Sequence, residues 1–101
     1  MTTPPPAAPS IVDRPDSGRY EALVEGVVAG TLDYRRSPGR VLLIHTEVLP
    51  AYEGRGIGSA LARRSFDDAR AEARTIIVTC PFLASWLERH PDDAEGVRVR
   101  V

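Results

Sequence analysis

The region that decides the fold is the stretch PAYEGRGIGSAL at residues 50–61. Before it, residues 41–48 begin with four aliphatic side chains, which is typical of a strand covered on both faces. Pro50 ends that strand, since proline has no N–H to give to a sheet. Glycines then stand at 54, 56 and 58, directly before a predicted helix. Glycine permits unusual backbone angles and close approach of a ligand, and the free N–H groups of a first helical turn bind anions. The stretch therefore predicts a strand-to-helix turn that binds phosphate.

Two common kinds of phosphate-binding motif, the P-loop and the dinucleotide-binding fingerprint, do not fit this stretch. A P-loop ends in Gly-Lys-Ser/Thr, and the chain contains no lysine. A dinucleotide-binding fingerprint follows the first strand of a βαβ unit, whereas the strand before Gly54 is the third of a hairpin series. Arg55 adds a positive side chain to the turn, and Ser59 adds a hydroxyl donor. One alternative stays open at this point, in which the glycines serve only a tight strand-to-helix connection.

The flanking sequence predicts an α/β domain with a mixed sheet, in the order β-β-β-α-β-α-(β). Turn signals separate the first three strands, and the fourth strand is parallel to the third because a helix connects them. Apolar residues at i, i+4, i+7 and i+11 from Ala62 mark one face of that helix. The predicted elements are strands at 20–24, 27–34, 41–48, 75–80 and 97–101, a helix at about 56–73, and a short helix that begins at Pro81.

Composition excludes several classes of protein. The chain has 101 residues, enough for one domain, and a net charge of -1, which argues against a nucleic-acid binder held by bulk electrostatics. Its single cysteine, Cys80, cannot form an internal disulfide or hold a metal alone, and we expect no metal site. We see neither a secretory leader nor a membrane span, so we expect a cytoplasmic protein. Residues 1–17 are Pro-rich and predicted to be a disordered tail, with the domain at residues 18–101.

Taken with its flanks, the glycine stretch resembles the coenzyme A signature of the GNAT N-acetyltransferase superfamily, Gln/Arg-x-x-Gly-x-Gly/Ala. Gly56 and Gly58 match its two small positions, while Glu53 replaces the usual first residue. The blocks IHTEV at 44–48, CPF at 80–82 and HP at 90–91 resemble compact single-domain members of that superfamily. The resemblance covers residues 20 to 91. It implies a minimal GNAT-like fold, with a mixed, mostly antiparallel sheet, a splayed parallel strand pair and two helices.

The resemblance also implies a cosubstrate, coenzyme A or acetyl-CoA, whose pantetheine arm lies between the splayed strands. Val48 is expected to offer backbone hydrogen bonds to that arm. We expect Glu53 to point to solvent or to pair with Arg55, since a carboxylate near a pyrophosphate repels it. The expected binding residues are Val48, Gly54, Arg55, Gly56, Ile57, Gly58 and Ser59.

Three side chains are candidates for acyl transfer, which needs a base for the amine, donors for the oxyanion and an acid for the departing thiolate. His45 and Glu47 stand two apart on one strand and so share a face; His45 is the expected base, with Glu47 orienting it or acting as base through a water. Cys80 ends the opposite strand, where we expect it to take the acyl group or to protonate the thiolate, activated by His45 across the gap. Each residue also has a purely structural interpretation: a core histidine, an exposed charge and an inert buried thiol.

These residues predict an acyltransferase that moves acetyl from acetyl-CoA to an amine, as a monomer or weak homodimer. Two alternatives stay open: a non-catalytic acyl-CoA binding or sensing module, and an interaction protein whose turn is purely structural. Many GNAT enzymes use a tyrosine of the last helix as the acid, and no tyrosine lies there in this chain. The chain also lacks the helical pair that larger members place between their first two strands, so the acceptor site is open, completed by a partner, or absent.

Overall fold

The computed structural model describes residues 8–101. They form a six-stranded sheet whose strands lie side by side in chain order. The first three strand pairings are antiparallel and the last two are parallel. This confirms the predicted α/β fold with a mixed, mostly antiparallel sheet and two helices. The elements are β1 (Ser10–Arg14), β2 (Arg19–Val24), β3 (Val27–Ser37), β4 (Arg40–Val48), α1 (Ile57–Ala71), β5 (Thr75–Val78), α2 (Pro81–Arg89) and β6 (Val99–Arg100).

Both helices pack on the same face of the sheet. Phe66 of α1 and Trp86 of α2 meet edge to face, with ring centroids 5.7 Å apart, and belong to one core with Leu32, Leu43 and Ile76 of the strands. Each large side chain buried there stabilises the fold by about 1.5–3 kcal/mol. Neither helix of the described chain covers the opposite face, so side chains that alternate away from the core meet solvent there. Within residues 8–101, neither helix has the length and apolar character needed to cross a membrane.

The parallel strands β4 and β5 separate after a short pairing. Their last residue pair is Leu43 opposite Val78. The N–H and the hydroxyl of Thr79 then both donate to the Leu43 carbonyl, each at 3.1 Å, and the pairing ends. β4 continues to Val48, so the edge of its second half that faces away from β3 has no β5 partner. This is the splayed parallel pair that the resemblance implied.

A bulge in β4 changes which side chains face the helices. The register with β3 shifts between Asp33 and Tyr34, which leaves Ile44 as an extra residue on β4. One extra residue reverses the alternation of side chains beyond it. Leu43 faces the helices before the bulge, and Thr46 faces them after it.

Several element boundaries differ from the prediction; β3, for example, extends to Ser37 instead of residue 34. β5 ends at Val78 instead of residue 80, because the strands have already parted and Pro81 opens α2. α1 ends at Ala71 instead of residue 73, where Ala73 has a positive φ of 53° that no α-helix allows. The last strand is only Val99–Arg100 of the predicted 97–101, and it pairs in parallel with β5.

The ordered chain also begins earlier than predicted. Residues 10–17, expected to belong to a disordered tail, form β1 and the short 3-10 turn Pro15–Ser17. β1 pairs with β2 along its whole length, and Ile11 packs against the core. The composition of this segment could not reveal these contacts, because they depend on a few individual side chains. Residues 1–7 of the predicted tail lie outside the described residues.

A polar cluster fastens β1 to the domain. The Tyr34 hydroxyl donates to the Asp13 carboxylate, and the Arg36 guanidinium pairs with the same carboxylate at 2.9 Å. That guanidinium also lies 4.2 Å from the centroid of the Tyr34 ring. Burial, followed by the hydrogen bond to Asp13, raises the pKa of Tyr34 to about 12. The cluster therefore favours the neutral tyrosine.

Candidate functional site

Two left-handed glycines build the turn between β4 and α1. The residues Pro50–Tyr52 form one 3-10 turn, after which Gly54 (φ 78°) and Gly56 (φ 76°) direct the chain into the helix. Glycine adopts these backbone angles freely, whereas a side chain strains them. A Cβ built on either glycine would meet no atom of the described residues within 4 Å, apart from the adjoining chain. Their surface is thus open, as the approach of a ligand to the backbone requires.

The first turn of α1 presents unpaired N–H groups beside this open surface. The first helical hydrogen bond runs from the Ala60 N–H to the Gly56 carbonyl at 3.0 Å, and no side chain of the described residues caps the helix. The N–H groups of Ile57, Gly58 and Ser59 therefore have no partner within the helix. Together with the helix dipole they favour a bound anion.

Gly58 allows close packing between the two helices, and not an unusual backbone angle. A Cβ at this position would lie 2.6 Å from Cζ of Phe82, the second residue of α2. The absent side chain lets the Phe82 ring pack against α1. Phe82 is 38% exposed, so its ring is also part of the surface at this point.

These elements surround a cavity of about 350 Å³. The turn and the start of α1 form one side, the second half of β4 forms another, and α2 contributes a third. The cavity thereby joins the unpaired N–H groups to the region where β4 and β5 part. It is lined by Thr46, Val48, Tyr52, Glu53, Gly54, Gly56, Ile57, Gly58, Ser59 and Phe82.

All the residues predicted to bind the ligand line this cavity except Arg55. The Arg55 guanidinium instead lies 5.2 Å from the centroid of the Tyr52 ring. Glu53 is an exposed lining residue, and within residues 8–101 it forms no ion pair with Arg55. Of the two expectations for Glu53, exposure to solvent agrees with the structure and pairing with Arg55 does not, because the Arg55 guanidinium lies over the Tyr52 ring. Within residues 8–101, the Glu53 carboxylate thus borders the cavity without forming an ion pair.

Comparison with known proteins relates this arrangement to a family. A family model described as GCN5-related N-acetyl-transferase matches residues 19–96. The chain belongs to this family. The solution structure of a GCN5-like protein from Staphylococcus aureus is similar over 91% of this chain and 89% of that chain, with a TM-score of 0.69 and 22% sequence identity. That likeness supports the fold. A search of curated proteins gives no match.

The catalytic candidates of this N-acetyltransferase family member lie on two sides of its sheet. His45 and Glu47 are exposed, and they pair with Asp33 and Thr31 of β3. Their two-residue spacing puts both side chains on one face, as predicted. Because they follow the bulge, that face is the open one, opposite the helices and the cavity.

Cys80 lies on the helix side of the gap. It is 3% exposed, and its thiol lies 3.6 Å from the hydroxyl of Thr46, a residue that lines the cavity. The expected activation of Cys80 by His45 across the gap is therefore wrong. The extra residue at Ile44 turns His45 to the open face and brings Thr46 against the thiol.

The structure adds site residues that sequence reasoning missed. Thr46, Tyr52 and Phe82 line the cavity, and none of the three is among the binding residues expected from the sequence. The signal for Thr46 was its position two residues before Val48, which places both on one face of the strand. Within the described part of the chain, no group of three His, Cys, Asp or Glu side chains is placed to hold a metal ion.

Proposed function

We propose that this protein transfers an acyl group, most simply acetyl, from acetyl-CoA to an amine. One observation carries the proposal. A single cavity joins the unpaired N–H groups of α1 to the unpaired edge of β4. An anion with a long, amide-containing arm matches both parts, and coenzyme A has such an arm attached to its pyrophosphate.

The cavity suggests how the cosubstrate binds. The pyrophosphate lies against the N–H groups of residues 57–59, with the open backbone of Gly54 and Gly56 beside it. The pantetheine arm runs along β4, where the backbone of Val48 hydrogen-bonds to its amides. Phe82 supplies an apolar wall for the arm, and the thioester reaches the gap near Thr46.

The acceptor amine approaches the thioester from the open face of the sheet. His45, or Glu47 through a water, removes the proton as the amine nitrogen attacks the carbonyl carbon. The carbon–sulfur bond then breaks, and the coenzyme A thiolate takes a proton from Cys80 or from water. The position of Cys80 beside Thr46 also permits a two-step path. In the first step the Cys80 thiolate attacks the carbonyl carbon and the coenzyme A thiolate leaves; in the second the amine attacks the Cys80 thioester, loses a proton to the base and releases the Cys80 thiolate.

Titration calorimetry with acetyl-CoA and coenzyme A tests the first part of this proposal. We expect binding of both, followed by release of free coenzyme A thiol when a suitable member of an amine panel is added. A folded protein that binds neither compound would contradict the proposal.

The exposure of His45 and Glu47 favours a second candidate, a non-catalytic acyl-CoA binding or sensing module. On the open face these side chains are not enclosed as a typical small-molecule acceptor site is. A module of this kind binds acetyl-CoA but releases no thiol with any amine. Binding and turnover, measured on the same preparation, separate the two candidates.

A further inference from the structure

Trp86 connects the core to the first turn of α1 through one hydrogen bond. Its side chain is 1% exposed, with Phe66 at its edge and His90 stacked on it at 4.6 Å between ring centroids. A buried indole N–H requires an acceptor. The Nε1–H of Trp86 donates to the hydroxyl oxygen of Ser59 at 2.9 Å, and Ser59 lines the cavity.

This bond determines what the Ser59 hydroxyl can do. A serine hydroxyl has one proton and two acceptor sites, whereas an indole N–H can only donate. The Ser59 oxygen therefore accepts from Trp86 with one of its two acceptor sites, and the Ser59 hydroxyl proton remains free for another partner. Within residues 8–101, no protein atom receives that proton. Ser65, further along α1, shows the usual alternative, because its hydroxyl donates to the Ala62 carbonyl at 2.7 Å.

We propose that Trp86 is a positioning residue for the cosubstrate, holding the Ser59 hydroxyl so that its proton points into the cavity and donates to a phosphate oxygen. This inference rests on the proposed function, since the phosphate is that of coenzyme A. The hydroxyl lies in the same helical turn as the unpaired N–H groups, so all of them serve one anion. A hydrogen bond to a charged oxygen is about twice as strong as one between neutral groups.

A purely structural role for Trp86 leads to a different expectation. Its packing against Phe66 and His90 depends on the shape of the ring and not on the N–H. Trp86 is the only tryptophan of the chain. Biosynthetic replacement of tryptophan by 3-benzothienylalanine, which carries sulfur in place of the N–H, therefore changes this one position and keeps the ring shape. Replacement by 5-fluorotryptophan keeps the N–H and is the matched control.

The experiment measures the Kd of acetyl-CoA by calorimetry for the full chain. We expect Ser59→Ala to weaken binding about tenfold, as for the loss of one hydrogen bond to a charged group. The protein with the benzothienyl replacement should bind acetyl-CoA about three- to tenfold more weakly, because the Ser59 hydroxyl is no longer held in place. Ser65→Ala and the fluorotryptophan protein should stay within about twofold of the wild type. In the Ser59→Ala background, the benzothienyl replacement should have no further effect, because the hydroxyl that it would misalign is gone.

The indole N–H resonance of the single tryptophan gives a second readout without ligand. Ser59→Ala should shift this NMR signal and Ser65→Ala should not; an unmoved signal in Ser59→Ala would overturn the inference. A benzothienyl protein that binds as tightly as the wild type would also overturn it, as would an equal loss with and without the Ser59 hydroxyl. In these cases the proposed function stands, since the wild type binds. A folded wild type that does not bind acetyl-CoA would overturn the proposed function and this inference with it.

Discussion

Gly30 packs against α1 and Gly58 lies within it. Alanine should lower stability at Gly30 and weaken acetyl-CoA binding at Gly58. A Cβ at Gly30 on β3 would lie 2.8 Å from Cγ2 of Ile57 and 3.0 Å from the carbonyl oxygen of Glu47. One neighbour is a buried side chain and the other is the backbone of a paired strand, so neither can move away easily. Overpacking of this kind costs about 1–3 kcal/mol, and the loss of glycine entropy in the unfolded chain offsets about 0.4–1 kcal/mol. We expect Gly30→Ala to lower the free energy of unfolding by about 1–2 kcal/mol, which lowers Tm by roughly 4–16 °C.

Gly58→Ala creates a shorter contact but should cost less. Its Cβ would lie 2.6 Å from the tip of Phe82, a ring that is 38% exposed and can swing toward solvent. Replacing glycine by alanine within a helix also stabilises the helix by up to about 1 kcal/mol, which offsets part of this cost. We expect the free energy of unfolding to stay within about 0.5 kcal/mol of the wild type. Acetyl-CoA binding should weaken instead, because the displaced ring no longer forms the wall of the cavity.

Urea unfolding followed by Trp86 fluorescence measures both variants on the same scale. The Ile57→Leu substitution removes Cγ2 at nearly constant volume, so in the Gly30→Ala background it should restore part of the lost stability. The mobility of the contacted atoms, more than the distance to them, should determine how much each substitution destabilises the protein. If Gly58→Ala destabilises the protein more than Gly30→Ala does, that expectation is refuted.

Three further predictions concern charge and chemistry at named residues. Glu53→Gln should tighten acetyl-CoA binding about two- to fivefold by removing a repulsive charge from the cavity, whereas Glu88→Gln, at an exposed position on α2, should not. His45→Ala should lower kcat about 100-fold or more and leave the Kd of acetyl-CoA unchanged, since His45 lies on the other face; an unchanged kcat would assign the base elsewhere. The pKa of Tyr34 is about 12 in the folded protein and about 10 in the unfolded chain, so the folded state favours the neutral tyrosine. This contribution to stability is fully present below pH 10 and is lost as the pH rises from about 10 to about 12. Tyr34→Phe should therefore lose less stability than the wild type in urea unfolding between pH 9 and pH 11.5, and equal losses would contradict the assignment.

Much of the fold could be predicted from the sequence because its signals are local. Pro50 and the glycines mark the turn, and the aliphatic runs mark the strands on either side of it. β1 could not be predicted in this way. Its residues lie in a Pro-rich segment, and the contacts that hold it, such as Asp13 with Tyr34, join positions far apart in the chain. Helix and strand ends differed by a few residues for a similar reason, since the parting of β4 and β5 depends on tertiary hydrogen bonds such as those of Thr79.

The sequence predicted which residues of β4 share a face, but the bulge at Ile44 prevented it from predicting which face that is. The spacing of His45 and Glu47 correctly put them on one face, but a spacing of two does not say which face. In an unbroken strand His45 would share the face of Leu43 and point toward the helices, where Cys80 lies. The single extra residue at Ile44 reverses this outcome, and nothing in the local sequence marks it.

The same bulge gives the proposed reaction its two-sided geometry. Before it, the side chains of β4 alternate between the core and the open face; after it, Thr46 and Val48 line the cavity while His45 and Glu47 face the open side. In the proposed mechanism the cosubstrate and the acceptor must reach the same gap without competing for the same surface. A strand that changes its alternation beside the gap allows this, because one face carries the binding groups for the cosubstrate and the other carries the base. Deleting Ile44 should remove the bulge without exchanging the two sets of side chains, because His45 then follows Leu43 directly and alternates with it in a regular strand. Acetyl-CoA binding and turnover should therefore persist in this variant, as in Ile44→Ala.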